Sequence, residues 1–154
     1  MSEATFRDIS GGLDPQTLAE RVRDGMFERD HAARGLGMAF VDVGPGRATM
    51  TMEVRGDMLN GFQICHGGFI TTLADTAFAY ACNSGNEQTV ASGVSVDFMA
   101  PGRPGDLLTA AAREVFVAGR TGVYDITVSN QKGELIAVMR GKSYRLKGRP
   151  VVEL

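Results

Sequence analysis

The sequence predicts an α+β fold in which an antiparallel sheet of about five or six strands wraps around one central buried helix, at about residues 67–82. Three observations carry this. The run 67–82, GGFITTLADTAFAYAC, holds a single charged residue, Asp75, and is apolar nearly all round, the pattern of a helix enclosed by protein rather than laid on a surface. Segments on both sides of it alternate apolar and polar residues at period two. A length of 154 residues, 44% hydrophobic and 22% charged, suits one domain and cramps two.

The elements come in this order. Residues 1–14 are polar and glycine-containing, and are expected to be flexible. Asp14-Pro15 writes a helix start, Asp as cap and Pro at the first helical position. Leu18, Val22, Met26 and Phe27 then keep one helical face to about Asp30. His31 to Gly37 reads as a link. Phe40 to Val43 is a short strand, turned by Gly44-Pro45-Gly46. In the next strand Ala48, Met50, Met52 and Val54 alternate with Arg47, Thr49, Thr51, Glu53 and Arg55. A loop, MLNGFQICH, leads into the apolar helix, which Asn83 to Gln88 ends. Strand-like runs lie at Thr89 to Met99, Leu107 to Val117, Gly122 to Asn130 and Glu134 to Leu146, the last two joined by the Asn130-Gln131-Lys132-Gly133 hairpin. A single domain over 15–147 and a loose tail over 148–154 complete the expectation.

Composition excludes several function classes. Lys plus Arg number 16 and Asp plus Glu 18, for a net charge of −2, which argues against a general nucleic-acid binder. The 20 glycines exceed the usual share of roughly 7%, are not periodic, and imply turns and at least one close backbone approach. Cys65 and Cys82 are too few for a disulfide framework. No apolar run is long enough for a membrane-spanning helix. MSEATFRDISGGLD lacks the apolar core of a signal peptide, so the cytoplasm is the expected compartment. His31 and His66 are too far apart for metal-ligand spacing, so no metal is expected.

Two places demand a chemical reason. Asp75 lies well inside the apolar helix with no cation three or four residues away. A carboxylate there either fills a packing gap, bonded to threonine or water, or serves as a base or nucleophile with a tuned pKa. Cys65-His66-Gly67-Gly68 sits where loop becomes helix. The first N–H groups of a helix have no internal partner and carry the positive end of its dipole, which suits an oxyanion developing on a carbonyl. The two glycines equally permit a tight entry turn. Asn60 offers a side-chain N–H donor or a turn. His66 offers a base or a structural hydrogen bond. A Cys65–His66 nucleophile pair has poor geometry because adjacent residues point apart.

Leu59-Asn60-Gly61, His66-Gly67-Gly68 and Leu73-Ala74-Asp75-Thr76-Ala77-Phe78-Ala79 resemble the hotdog-fold thioesterases, and most closely the PaaI-type acyl-CoA thioesterases of phenylacetate degradation. Ser95-Val96-Asp97-Phe98, Pro101-Gly102, Gly105-Asp106, Thr121-Gly122-Val123-Tyr124-Asp125 and Gly141-Lys142-Ser143 agree, so the resemblance spans about 20–146. It implies a hotdog fold and hydrolysis of acyl-CoA thioesters, with aryl-acetyl-CoA such as (hydroxy)phenylacetyl-CoA as substrate. It also implies roles. Asp75 matches the catalytic carboxylate and the Gly67 N–H the oxyanion donor. Asn60 matches a polar residue near the carbonyl and the water, His66 an orienting residue, and Ser95 a hydroxyl that helps place the water. Coenzyme A is then part of the substrate and no separate cofactor is implied. Arg103, Arg120, Lys142 and Arg145 are candidate partners for its phosphates.

Spacing adds one inference. Gly67 and Asp75 are eight residues apart on one helix, about 12 Å along its axis. One helix therefore cannot offer both to one carbonyl, whereas two antiparallel helices from two subunits can. This predicts a two-fold homodimer with composite sites, and the resemblance adds a homotetramer. A non-catalytic acyl-CoA sensor and a hotdog hydratase or dehydratase are the competing readings. The helix lacks the His that resembles the hydratase pairing, and a binder has no need of Asp75. Fold alone does not fix function.

Overall fold

The structure, a computed structural model, describes residues 8–154. It is a six-stranded antiparallel sheet in the order β1-β2-β4-β5-β6-β3 with one long helix packed across it. The elements are α1 (Pro15–Arg29), α2 (His31–Gly35), β1 (Ala39–Gly44), β2 (Arg47–Glu53), α3 (Gly67–Cys82), β3 (Glu87–Phe98), β4 (Leu107–Ala118), β5 (Thr121–Ser129) and β6 (Leu135–Pro150).

Local chemistry explains the boundaries. Asp14 caps α1, accepting the Thr17 amide at 3.1 Å and its hydroxyl at 2.6 Å, with Pro15 in the first turn. Asp30 closes α1 and caps α2 by accepting the Ala33 amide, so the link expected at 31–37 contains a helical turn. The alternation in β2 is realised: Ala48, Met50, Met52 and Val54 are buried. They meet Leu108, Ala110 and Ala112 of β4 and Tyr124, Ile126 and Val128 of β5 under Leu73, Phe78 and Tyr80 of α3. Each large side chain so buried contributes about 1.5–3 kcal/mol. Where α3 comes closest to β6 the strand has Gly141, at which a Cβ would stand 2.8 Å from the Phe78 ring.

Two differences from the expectation have clear causes. The tail beyond Lys147 is held, because β6 runs to Pro150 and Asn86, 1% exposed, clasps the residues after that strand. Its Oδ1 accepts the Val151 and Val152 amides, and its Nδ2 donates to the Val152 and Ile9 carbonyls. The flexible segment expected over 1–14 lies outside the described residues at 1–7. α3 is also not covered all round. Gly68 and Asp75 are exposed and Thr72 and Ala79 only half-buried, so one stripe of the helix faces outward beside β3. β3 is an edge strand, and it leaves Val90, Val94 and Phe98 between 44% and 51% exposed.

Candidate active site

The loop before α3 is held by backbone bonds and by Asn60. The Cys65 amide donates to the Gly102 carbonyl and the His66 amide to the Met58 carbonyl, each at 2.7 Å. Asn60 Oδ1 accepts the Phe62 amide at 2.9 Å and the Ile64 amide at 3.3 Å, so this residue builds the turn, while its Nδ2 has no acceptor among the described residues. His66 caps α3: its Nδ1 accepts the Gly68 amide at 3.4 Å, which leaves the proton of the neutral ring on Nε2. The Gly67 N–H, at the first helical position, has no acceptor among the described residues. Of the two glycines, Gly67 thus carries the free donor at the positive end of the dipole.

Asp75 stands two turns further along α3. The three threonines around it do not satisfy it. Thr71, Thr72 and Thr76 donate their hydroxyls to the carbonyls four residues earlier, Gly67, Gly68 and Thr72. Asp75 has no hydrogen bond and no ion pair among the described residues, and the surrounding apolar mass pushes its pKa above the ordinary carboxylate value. The carboxylate opens into a shallow pocket of about 340 Å³ lined by Thr71, Thr72, Ala91, Ser92, Gly93 and Val94. It is therefore unpartnered and partly desolvated, not enclosed.

Ser95 does not reach that pocket. It pairs with Arg140 on the face of the sheet turned away from α3, in a hollow with Asp97, Arg113, Asp125 and Thr127. The hydroxyl that does line the Asp75 pocket is that of Ser92, which the strand pattern did not single out. β3 bulges between Ala91 and Gly93, and Ser92 is the extra residue, donating to the Lys142 carbonyl at 3.2 Å. Gly93, just before the alternation of Val94, Val96 and Phe98 begins, is the sequence signal for the bulge.

The four candidate cations are divided. Arg103 follows Gly102, which adjoins Cys65 at the start of α3, and its amide is held by Asp106 at 2.9 Å. Arg145 and Arg120 lie together at the opposite end of the helix, where Arg145 pairs with Glu87 at 3.2 Å and its amide donates to the Arg120 carbonyl. Lys142 is exposed beside Ser92, on the outer face of the sheet. Cys65 is buried, and burial pushes its thiol up, away from nucleophile character. Among the described residues no cluster of His, Cys, Asp and Glu is suited to hold a metal ion. A larger hollow of about 600 Å³ near Cys82, Glu114 and Tyr124 contains neither Asp75 nor Gly67.

Residues 62–137, which contain the helix, Asp75, Gly67 and Ser92, match the Thioesterase superfamily. The chain is 49% identical over 123 residues to the acyl-coenzyme A thioesterase PaaI of Escherichia coli K12, covering 80% of this chain and 88% of that one. It superposes on the structure of E. coli PaaI from the phenylacetic acid degradation operon with a TM-score of 0.86 at 45% identity, covering 88% of this chain and 99% of that one. A Streptococcus mutans protein bound to acetyl-CoA gives a TM-score of 0.70 at 28% identity, over 73% and 90% of the two chains. An unpaired helix-start amide, an unpartnered carboxylate on the same helix and this degree of likeness agree: the chain belongs to the thioesterase superfamily and is a thioester hydrolase of the hotdog fold.

Proposed function

We propose that the protein hydrolyses acyl-CoA thioesters to free acid and coenzyme A, with aryl-acetyl-CoA such as (hydroxy)phenylacetyl-CoA as the substrate class, in phenylacetate degradation and in the cytoplasm. The observation that carries the mechanism is the free Gly67 N–H on the helix that presents Asp75. The Gly67 amide takes the thioester carbonyl oxygen and stabilises the charge that develops on it. Asp75 either removes a proton from water as that water attacks, or attacks the carbonyl itself to give a mixed anhydride that water then opens. In both routes the C–S bond breaks and coenzyme A leaves as a thiolate, which takes up a proton. The upward shift of Asp75 fits a group that must accept a proton and return it.

The site is shared between two subunits. Gly67 and Asp75 lie about 12 Å apart along their helix, too far to serve one carbonyl, while the exposed stripe of α3 lies next to the uncapped edge of β3. A second copy adding its β3 antiparallel would cover Val94, on the α3 side of the strand, and bring the two helices alongside one another in opposite directions. Pairing of such dimers gives a homotetramer. Arg103 is the cation best placed for the coenzyme A phosphates, being nearest the helix start. Asn60 Nδ2 is available to the carbonyl or water, His66 orients the amide segment, and Ser92 takes the water-placing role expected of Ser95. No resident cofactor is required.

A thiol-release assay over aryl-acetyl, benzoyl, short and long aliphatic CoA thioesters tests the reading. Turnover led by the aryl-acetyl thioesters is expected. Tight binding without thiol release from any of them would overturn hydrolysis in favour of an acyl-CoA sensor.

A further inference from the structure

Gly67 owes its lack of a side chain to a residue of its own subunit. A Cβ at this position would stand 2.9 Å from Cζ of Phe98, and 3.3 and 3.4 Å from its Cε2 and Cε1. The far end of the ring therefore occupies the place that a side chain at 67 would take, on the residue that carries the free amide. Phe98 is the last residue of β3, on the face turned toward α3, and the ring is 51% exposed in the protomer. It is fixed at its base by pairing with Ala137 of β6, and the loop across from it is tied to Gly102. An aromatic surface thus borders a helix-start donor that has no acceptor among the described residues, and it comes from the same chain as that donor.

We infer that Phe98 is a specificity-determining residue: its ring forms the wall against which the group bonded to the polarised carbonyl lies, and it selects an aryl acyl group over an aliphatic one of similar size. This rests on the reading of Gly67 as the oxyanion donor. A carbonyl oxygen within hydrogen-bond reach of that amide brings its own substituents up to the ring, because the ring fills the space where a side chain on the same residue would begin. Aromatic pairs in offset or edge-to-face contact gain over their area burial, by an amount equivalent to about two- to tenfold in binding. An aliphatic chain in the same place gains the area alone. Glycine at 67 and the aromatic ring at 98 are then one device: the first vacates the space that the second fills.

The test compares kcat/KM for phenylacetyl-CoA and hexanoyl-CoA in the wild type, Phe98→Leu and Phe98→Tyr, with the ratio as readout. Phe98→Leu keeps an apolar wall and removes the ring, and the aryl-to-aliphatic ratio is expected to fall about two- to tenfold. Phe98→Tyr keeps the ring and is expected to hold the wild-type ratio. An unchanged ratio in Phe98→Leu overturns the proposal, as does an equal drop in both variants. Gly67→Pro separates this from the oxyanion reading. Gly67→Ala brings a Cβ to 2.9 Å from Phe98 Cζ but keeps the N–H, and serves as the control; Gly67→Pro brings the same Cβ and removes the N–H as well, after a residue already extended at ψ 133. It is expected to lower both thioesters by a hundredfold or more. Wild-type turnover in Gly67→Pro would overturn the oxyanion reading whatever the ratio does in the Phe98 variants.

Discussion

Ser92 and Asp75 share one pocket although the period-two pattern of β3 gives no reason for it: the bulge between Ala91 and Gly93 inserts Ser92 opposite the outward stripe of α3. Ser95, three residues on, pairs with Arg140 on the other face of the sheet. Ser92→Ala is expected to lower kcat for phenylacetyl-CoA about five- to tenfold, the worth of one hydrogen bond to the attacking water. Ser95→Ala is expected to stay within about twofold, as a surface change does. Thiol-release kinetics on the two variants decide it, and a larger loss in Ser95→Ala would reverse the assignment.

Asp75→Asn removes the proton acceptor and keeps the shape. Turnover is expected to fall by about 10² to 10⁴, with thermal unfolding unchanged or shifted upward. The direction comes from the pKa. Burial raises Asp75 in the folded chain, so its contribution to stability is fully present below the ordinary carboxylate value of 3.8 and lost as pH rises through the raised value. At neutral pH the ionised group therefore costs stability, and the amide does not. For the same reason the acid limb of kcat/KM belongs above 3.8. A variant that unfolds earlier than the wild type at pH 7 would contradict this.

Composite sites make a prediction that no single-chain site shares. Gly67→Pro and Asp75→Asn homodimers are both expected to be inactive, yet a mixture that exchanges subunits regains activity. Each mixed dimer has one site with both defects and one with none, so an equal mixture approaches about a quarter of wild-type activity. Mixing, brief destabilisation to allow exchange, and assay test this. A mixture that stays inactive after exchange has been verified by mass would place both groups in one chain.

Asn86 is a structural residue with four hydrogen bonds to the chain ends and a left-handed backbone, φ 61. Asn86→Ala leaves buried amides and carbonyls unpaired, at about 1–3 kcal/mol for each group left unsatisfied, and adds backbone strain. Urea unfolding is expected to show a loss of at least about 2 kcal/mol, with kcat per folded molecule unchanged because Asn86 lies beyond the C-terminal end of α3.

What the sequence made legible was what local chemistry decides. The bounds of α3, the inward face of β2 and the alternation of β5 come from periodicity and capping; charge and position on the helix make Asp75 and Gly67 candidates, and the structure places both without a hydrogen-bond partner for carboxylate or amide among the described residues. Ser92 was hidden because a bulge slips the register by one residue and exchanges the two faces of a strand. The openness of α3 at Asp75 was hidden because an apolar sequence does not say whether its cover comes from the same chain or from another. The ordered tail was hidden because the residue that holds it, Asn86, is far away in sequence.

The clasp at Asn86 has a practical consequence. It draws Ile9 and Val152 to one spot, beside the end of α3 opposite Gly67. A handle appended after Leu154 would sit near that end, about 24 Å along the helix from the Gly67 amide. The protein can therefore be tethered to a resin or an electrode through that end, with the Gly67 end of the helix kept away from the support.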